Sequence, residues 1–250
     1  MNRFCIGQHT SADLNLLATC SITAEEAKSL NHVPHFFPTR QKVDQYNENV
    51  LQNSTCQKVI ITAIDIPPSG SSPKFKQQLQ AALDKRKPES TGGLPKVITV
   101  AVNHQYDIIS NIAVQDGIMN GAECCIKYIQ PQAHDSTFPV IVWVQFEDSR
   151  VGKLQWQKYS YLQNTHILQD WTPIFAQKRS FLIKDVWVTR VQFPMRNAAA
   201  RTIHVAQSAT FRQIYIDMST NTNPPKHWWQ HMHYVALSRV TIRIIFERSQ

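Results

Sequence analysis

Nine basic side chains fall between residues 151 and 212: Lys153, Lys158, Lys178, Arg179, Lys184, Arg190, Arg196, Arg201 and Arg212. Only Asp170 and Asp185 oppose them, so +7 of the chain's formal +8 sits in about a quarter of its 250 residues. Trp156, Trp171 and Trp187 are interleaved with these charges. Basic groups track a phosphate backbone and aromatic faces stack unpaired bases, so the pattern points to nucleic acid. Lys153, Lys158, Lys178 and Arg179 are the candidate strand contacts. The same composition also allows a solvated basic surface over three core tryptophans.

Other phosphate and metal chemistry is poorly provided for. A triphosphate cradle needs G-x-x-x-x-G-K-[ST]. The chain has seven glycines, none after Gly152, and its Gly152-Lys153 pair is followed by Leu154 with Glu147 in the first glycine's place. His227 and His231 stand at i, i+4 in His227-Trp228-Trp229-Gln230-His231-Met232-His233, but no glutamate follows His227 as a zincin base would, and Pro224-Pro225 argues for a loop. No metal site is expected there. The five cysteines (Cys5, Cys20, Cys56, Cys124 and Cys125) are odd in number and form no C-x-x-C, which reads as reduced thiols in an intracellular protein.

These side chains need a folded support, and 42% apolar with 10% aromatic residues supplies a core. No apolar run reaches the ~18 residues of a membrane helix, since Val140-Ile141-Val142-Trp143-Val144 stops at Gln145. The opening Met-Asn-Arg-Phe-Cys-Ile-Gly-Gln has no secretory apolar core. No membrane partner is expected, and nothing calls for an oligomer.

Local signals give an α/β order. A short helix is expected through Leu14, Leu16 and Leu17 after Thr10-Ser11. A second, capped by Thr39, has Val43, Tyr46, Val50 and Leu51 at helical spacing. Val59–Ile64 and Val97–Val102 read as strands, with the loop Pro67–Pro73 and a polar helix around Phe75–Leu83 between them. Asn120-Gly121 is a hairpin-turn signal, and Val140–Phe146, Phe181–Ile183 and Val186–Val188 are further strands. The segment from about 117 to 190 reads as a small, twisted, basic β-barrel. Helix is expected again over Asn197–His204, then strands Gln213–Met218 and Val240–Phe246.

Several stretches, in order, resemble the C-terminal half of a Pif-type (petite integration frequency) DNA helicase of superfamily one, a family with Helitron-borne relatives. Gly7-Gln8-His9-Thr10 with Asp13-Leu14 resembles the segment after the first motor domain. Phe36-Phe37-Pro38-Thr39-Arg40 with Val43-Asp44 and Asn47 resembles motif IV, and Asp116-Gly117-Ile118-Met119-Asn120-Gly121-Ala122 a characteristic turn. Trp143–Asp148 resembles the strand that follows. Phe193-Pro194-Met195-Arg196 leads into Ala199–His204, the place of motif V, and His233-Tyr234-Val235-Ala236-Leu237-Ser238-Arg239-Val240 resembles motif VI.

The resemblance implies a RecA-like second motor domain (1–116 and 192–250) into which an SH3-like β-barrel (117–191) is inserted. It implies ATP-dependent 5′→3′ unwinding in a complete enzyme, single-stranded DNA as partner, and a missing N-terminal motor domain. ATP and Mg2+ would then be bound only by the two-domain enzyme, not by this chain alone. Arg239, with Arg40 from motif IV, would reach the γ-phosphoryl group; Gln207 would lie on the ATP side; Thr202 and His204 would hold the DNA backbone. Gly117, Asn120 and Gly121 would set a turn. The family role extends to DNA repair, recombination and telomere maintenance, and implies a nuclear or mitochondrial setting.

Motif V departs from the family pattern. His204-Val205-Ala206-Gln207-Ser208 stands where a basic residue, a hydroxyl and a glycine follow the histidine. This keeps open a non-enzymatic single-strand-binding module or a decayed transposon remnant.

Overall fold

The computed structural model describes residues 8, 10–22, 26, 33–132, 138–162, 167, 170–183, 185–203, 211–217 and 240–247. It is a mixed α/β chain in two compact units, residues 1–54 with 198–250, and residues 55–197. In chain order the first elements are helix Ser11–Ala18, strands β1 (Ser21–Ile22) and β2 (His35–Phe37), and helix Arg40–Asn53. Strands β3 (Lys58–Thr62) and β4 (Ile64–Ile66), helix Pro73–Leu83, β5 (Val97–Ala101) and β6 (Gln105–Ile108) follow. Next come β7 (Glu123–Gln130), β8 (Ile141–Phe146), helix Lys153–Lys158 and β9 (Thr172–Ile174). The hairpin β10 (Gln177–Ile183) and β11 (Val186–Gln192) precedes β12 (Met195–Asn197), β13 (Ala200–Thr202), β14 (Phe211–Ile216) and β15 (Val240–Glu247).

The first unit holds a five-stranded sheet in the order β1-β15-β14-β2-β13, and every pairing in it is parallel. Parallel strands are buried on both faces, and Phe36, Ala200, Ile214 and Ile216 are accordingly buried. The helices begin where cap chemistry places them. Thr10 N–H donates to the Asp13 carboxylate at 2.9 Å while Asp13 N–H donates back to Thr10 Oγ1 at 3.3 Å. Thr39 Oγ1 accepts from Lys42 N–H at 3.4 Å. The half-buried face of helix Arg40–Asn53 meets the sheet through Tyr46, whose ring lies 4.4 Å from that of buried His35 and whose hydroxyl is 3.0 Å from His35 Nε2. Burial pushes the Tyr46 hydroxyl up to about 12.

The expected helix over Asn197–His204 does not form where it is described: Ala198 and Ala199 are irregular, and Ala200–Thr202 is strand β13. Ala200–Thr202 pairs in parallel register with His35–Phe37. Alanine's helix propensity is worth only tenths of a kcal/mol against its competitors, whereas Ala198, Ala200 and Ile203 are buried against the sheet. Burial and pairing therefore decide.

The second unit is antiparallel. One sheet has the order β12-β6-β7-β8-β9, another β10-β11-β4, and β3 pairs with β5. Its main core gathers Ile61, Val100, Tyr106, Ile126, Val144 and Phe193 among others. Leu79 and Leu83 of helix Pro73–Leu83, begun at the Ser72 cap, pack on Phe181, Ile183 and Val188.

No sheet among the described residues closes into the barrel expected over 117–191. Strands of that segment divide between two open sheets, and each sheet recruits a strand from outside it. β7 is bordered by β6, and β11 pairs with β4. The second pairing sets Arg190 opposite Asp65, and the Asp65 carboxylate takes both Nε and Nη2 of Arg190, at 2.7 and 3.0 Å. The Asn120-Gly121 hairpin expectation also changes. Gly117 and Gly121 have φ of +75° and +91°, as a turn role for them requires, but Asn120 does not. The β6–β7 connection is a longer loop, held by Gly121 N–H on the Ile108 carbonyl at 2.8 Å and Asn120 N–H on Asn111 Oδ1 at 3.0 Å.

Candidate nucleic-acid interface

In the first unit two of the expected site residues share one edge of the parallel sheet. Thr202 ends β13 in register with Phe37, the last residue of β2, and Arg40 opens its helix three residues after Phe37. Asp217 follows β14 at the same edge, with Lys42 Nζ 2.6 Å from its carboxylate. The carboxyl end of parallel strands is where open α/β sheets place ligands. Arg40 is exposed and Thr202 half-buried. His204, Gln207 and Arg239 lie outside the described residues, as does the His227–His233 string. Among the described residues no group of three or more His, Cys, Asp or Glu side chains could hold a metal ion.

Asn47 fixes this edge. Its side chain donates to the Ala200 carbonyl at 3.2 Å and accepts from Ala200 N–H at 2.8 Å, so a helix residue stands in for a sixth strand along β13. Asn47→Ala is expected to speed hydrogen exchange of the Ala200 amide roughly fivefold, as for a lost net hydrogen bond of about 1 kcal/mol. Unchanged protection would show that β13 is held otherwise.

In the second unit the basic stretch separates into different environments. Arg190 is completely buried in its pair with Asp65, which also receives Lys96 at 3.0 Å. Burial pushes the Asp65 carboxyl up, but hydrogen bonds and charge from Arg190 and Lys96 outweigh it and hold it below the ordinary value. Arg196 pairs with buried Asp107 at 3.2 Å, and Arg201 is buried in the other unit. The excess of positive charge is therefore only partly a surface feature. Lys153, Lys158, Lys178 and Arg179 are exposed.

Lys178 and Arg179 are neighbours on β10, so the period of two sends them to opposite faces. Arg179 lies opposite Arg190 in the hairpin and donates to Ser110 Oγ at 2.6 Å. Lys178 shares its face with Leu182 and with Trp187, which is 65% exposed. Of the three tryptophans in the basic stretch, Trp156 and Trp171 are half-buried, and Trp187 is the one that stands out in solvent.

Lys153 and Lys158 belong to one short helix whose start explains the Gly-Lys pair. Gly152 has φ of +84°, and its N–H donates to the Asp116 carbonyl at 2.9 Å. The Asp116 carboxylate then accepts from Leu154 N–H at 2.9 Å and Gln155 N–H at 2.8 Å. An internal anion thus occupies the N–H groups that a P-loop would offer to phosphate. Beside this helix a cavity of about 340 Å3 is lined by Phe146, Val151, Lys153, Trp156 and Thr172. At the other end of the helix Lys158 Nζ lies 5.1 Å from the Tyr159 ring centroid.

Sequence reading missed Asp116 as the holder of the Lys153 helix, and Asn47 as the clamp on β13, although both stand in stretches that carry the family resemblance. It also missed the Lys42–Asp217 pair, which joins residues 175 apart that share no local pattern.

No family model matches the chain, and no curated protein matches it. Solved structures do. The chain is 19% identical to Pif1 helicase from Candida albicans, over 87% of this chain and 46% of that one, with a TM-score of 0.57. It is 16% identical to Bacteroides Pif1 bound to ssDNA, over 98% of this chain and 47% of that one, with a TM-score of 0.57. For Bacteroides Pif1 in complex with ADP-AlF3 and ssDNA the identity is 18%, the shares 98% and 47%, and the TM-score 0.58. The chain has a Pif1-helicase-like fold and spans about half the length of these proteins. Among the described residues no helix is long and apolar enough to cross a membrane.

Proposed function

We propose that this chain is the C-terminal motor half of a Pif-type 5′→3′ DNA helicase, a RecA-like second domain carrying an SH3-like insertion, and that its own activity is to bind single-stranded DNA. The observation that carries this reading is the all-parallel sheet whose carboxyl edge collects Arg40, Lys42, Thr202 and Asp217, within a fold that follows Pif1 over nearly the whole chain. Two arginines, Arg40 and Arg239, would complete a nucleotide pocket whose other wall comes from a P-loop domain. Delivered to a γ-phosphoryl group, such a guanidinium stabilises developing charge, a role worth about 10³–10⁵ in rate in other NTPases. ATP with Mg2+ would be held by that other domain, because the Gly152-Lys153 turn here is already filled by Asp116. Gln207 would lie on the nucleotide side.

Thr202 and His204 would donate to DNA phosphates without reading sequence. Lys153, Lys158, Lys178 and Arg179 would add backbone contacts. The altered motif V, with Val205, Ala206 and Ser208 where the family has a basic residue, a hydroxyl and a glycine, favours a second reading in which DNA binding persists without motor coupling.

The test is anisotropy of a labelled oligothymidylate titrated with the purified chain across a salt series, with a matched duplex for comparison. The expected result is sequence-tolerant binding of the single strand, its log affinity falling with log salt by about 0.7 per phosphate contact. Absence of binding, or an affinity indifferent to salt, overturns the reading. No ATP turnover is expected from this chain by itself. DNA-stimulated hydrolysis that Arg239→Ala abolishes would refute that part.

A further inference from the structure

The sequence from Ser149 to Gln169 contains no carboxylate, yet it carries Arg150, Lys153 and Lys158. A single 3-10 turn, Ser160–Leu162, comes directly after its Lys153–Lys158 helix. Both flanks of that turn are anchored. Tyr159 caps the helix and sets its ring 4.8 Å from that of Phe175, at 55°. Leu162 packs on the buried cluster of Ile141, Trp143 and Ile167. Tyr161, between the two anchors, is 75% exposed, more than any other large apolar side chain among the described residues.

A lone exposed aromatic is ordinary. This one is mounted on a fixed turn, with its ring centroid 6.3 Å from that of Tyr159, over which the Lys158 ammonium lies. The chemistry brought together is an uncovered π face beside the Lys158 ammonium, with no acid in its own segment. A planar, uncharged ring joined to an anion fits it, which is what an unpaired nucleobase with its phosphate offers. A protein partner would be met better by the aliphatic face of β4, β10 and β11, where Ile64, Ile66 and Leu182 are exposed.

The geometry points to Tyr161 as a stacking platform for one unpaired base, with Lys158 holding the adjacent phosphate. This rests on the single-strand reading above and adds to it a base contact that the basic residues alone do not supply. Stacking depends on the ring and charge on the lysine, so the two contributions separate experimentally.

The probe is an oligothymidylate of about 12 nucleotides, with an abasic strand of equal length as its control. Tyr161→Ala should weaken binding about 5- to 100-fold while leaving the salt slope unchanged. Lys158→Gln should lower the slope by about 0.7. Tyr161→Phe should bind within about twofold of the parent, and in Tyr161→Trp the added indole fluorescence should be quenched by the strand. On the abasic strand the difference between the parent and Tyr161→Ala should vanish. If the parent binds and Tyr161→Ala binds equally well, or loses as much on the abasic strand, the stacking role is overturned while the single-strand reading stands. If the parent does not bind the oligothymidylate, both fall.

Discussion

Arg190→Ala is expected to remove about 3–5 kcal/mol of folding stability, the usual loss when one member of a buried ion pair is deleted. Asp65 would keep Lys96 at 3.0 Å, which places the expectation toward the lower end of that range. The guanidinium also donates to Thr91 Oγ1 at 2.9 Å and to the Leu94 carbonyl at 3.1 Å, and it lies 5.7 Å from the Phe181 ring centroid. Its removal thus loosens three segments together. Urea unfolding followed by tryptophan fluorescence reads the change, and a loss below about 1 kcal/mol would show that the pair carries little. The double variant Arg190→Met with Asp65→Leu should recover much of the loss, because an apolar replacement of a buried pair leaves no charge stranded.

The pH dependence has a definite sign. Asp65 titrates lower in the folded protein than its ordinary value of about 3.9. Its pairing therefore stabilises the fold fully above about pH 4 and is lost as pH falls through the depressed folded value. The parent should lose stability in that acid range more steeply than Arg190→Ala does. Parallel curves would mean that the carboxyl gains nothing from its partner.

Arg190 also shows where sequence reading stops. Counted with Lys153, Lys158 and Lys178, it looked like part of one basic surface, but its partner Asp65 is 125 residues away and no local pattern announces it. The closed barrel failed for the same cause, since β4 joins β11 from far outside the expected segment. Features set within one or two turns of chain were legible. Thr39 capped the helix assigned to it, and the polar helix expected around Phe75–Leu83 formed directly after the Pro67–Pro73 loop. Ala200–Thr202 lies between these cases, because the alanine run that leads into it favours helix and its burial and pairing beside β2 make it strand. The edge that joins Arg40 to Thr202 was available from ordered motifs, yet the clamp that builds it, Asn47 on Ala200, spans 153 residues. Tyr161 gave no signal in the sequence because exposure, not residue type, sets it apart.

Asp116→Ala is the substitution expected to act on stability and DNA binding together. Its carboxylate accepts two hydrogen bonds at the start of the Lys153–Lys158 helix, and hydrogen bonds to charged groups contribute about 1.5–3 kcal/mol each. A loss of about 3 kcal/mol or more follows, with the Leu154 and Gln155 N–H groups left without their acceptor. Neighbouring contacts cannot re-form the turn cheaply. A side chain at Gly152 would collide with Thr172 Oγ1 and the Phe146 ring, and one at Gly117 would meet Val151. The consequence for function runs through position, since no group proposed to touch DNA is altered. A loosened helix no longer holds Lys153, Lys158 and the Tyr161 turn in one arrangement, so oligothymidylate affinity should fall and its salt slope should flatten. Asp116→Asn, which keeps one acceptor oxygen, should lie between the parent and Asp116→Ala in both respects. Hydrogen exchange separates this account from a general loss of folding. The Leu154 and Gln155 amides should lose protection ahead of the β7–β8 ladder, and if all of them open together while DNA affinity is kept, Asp116 has no part in presenting the strand-binding face.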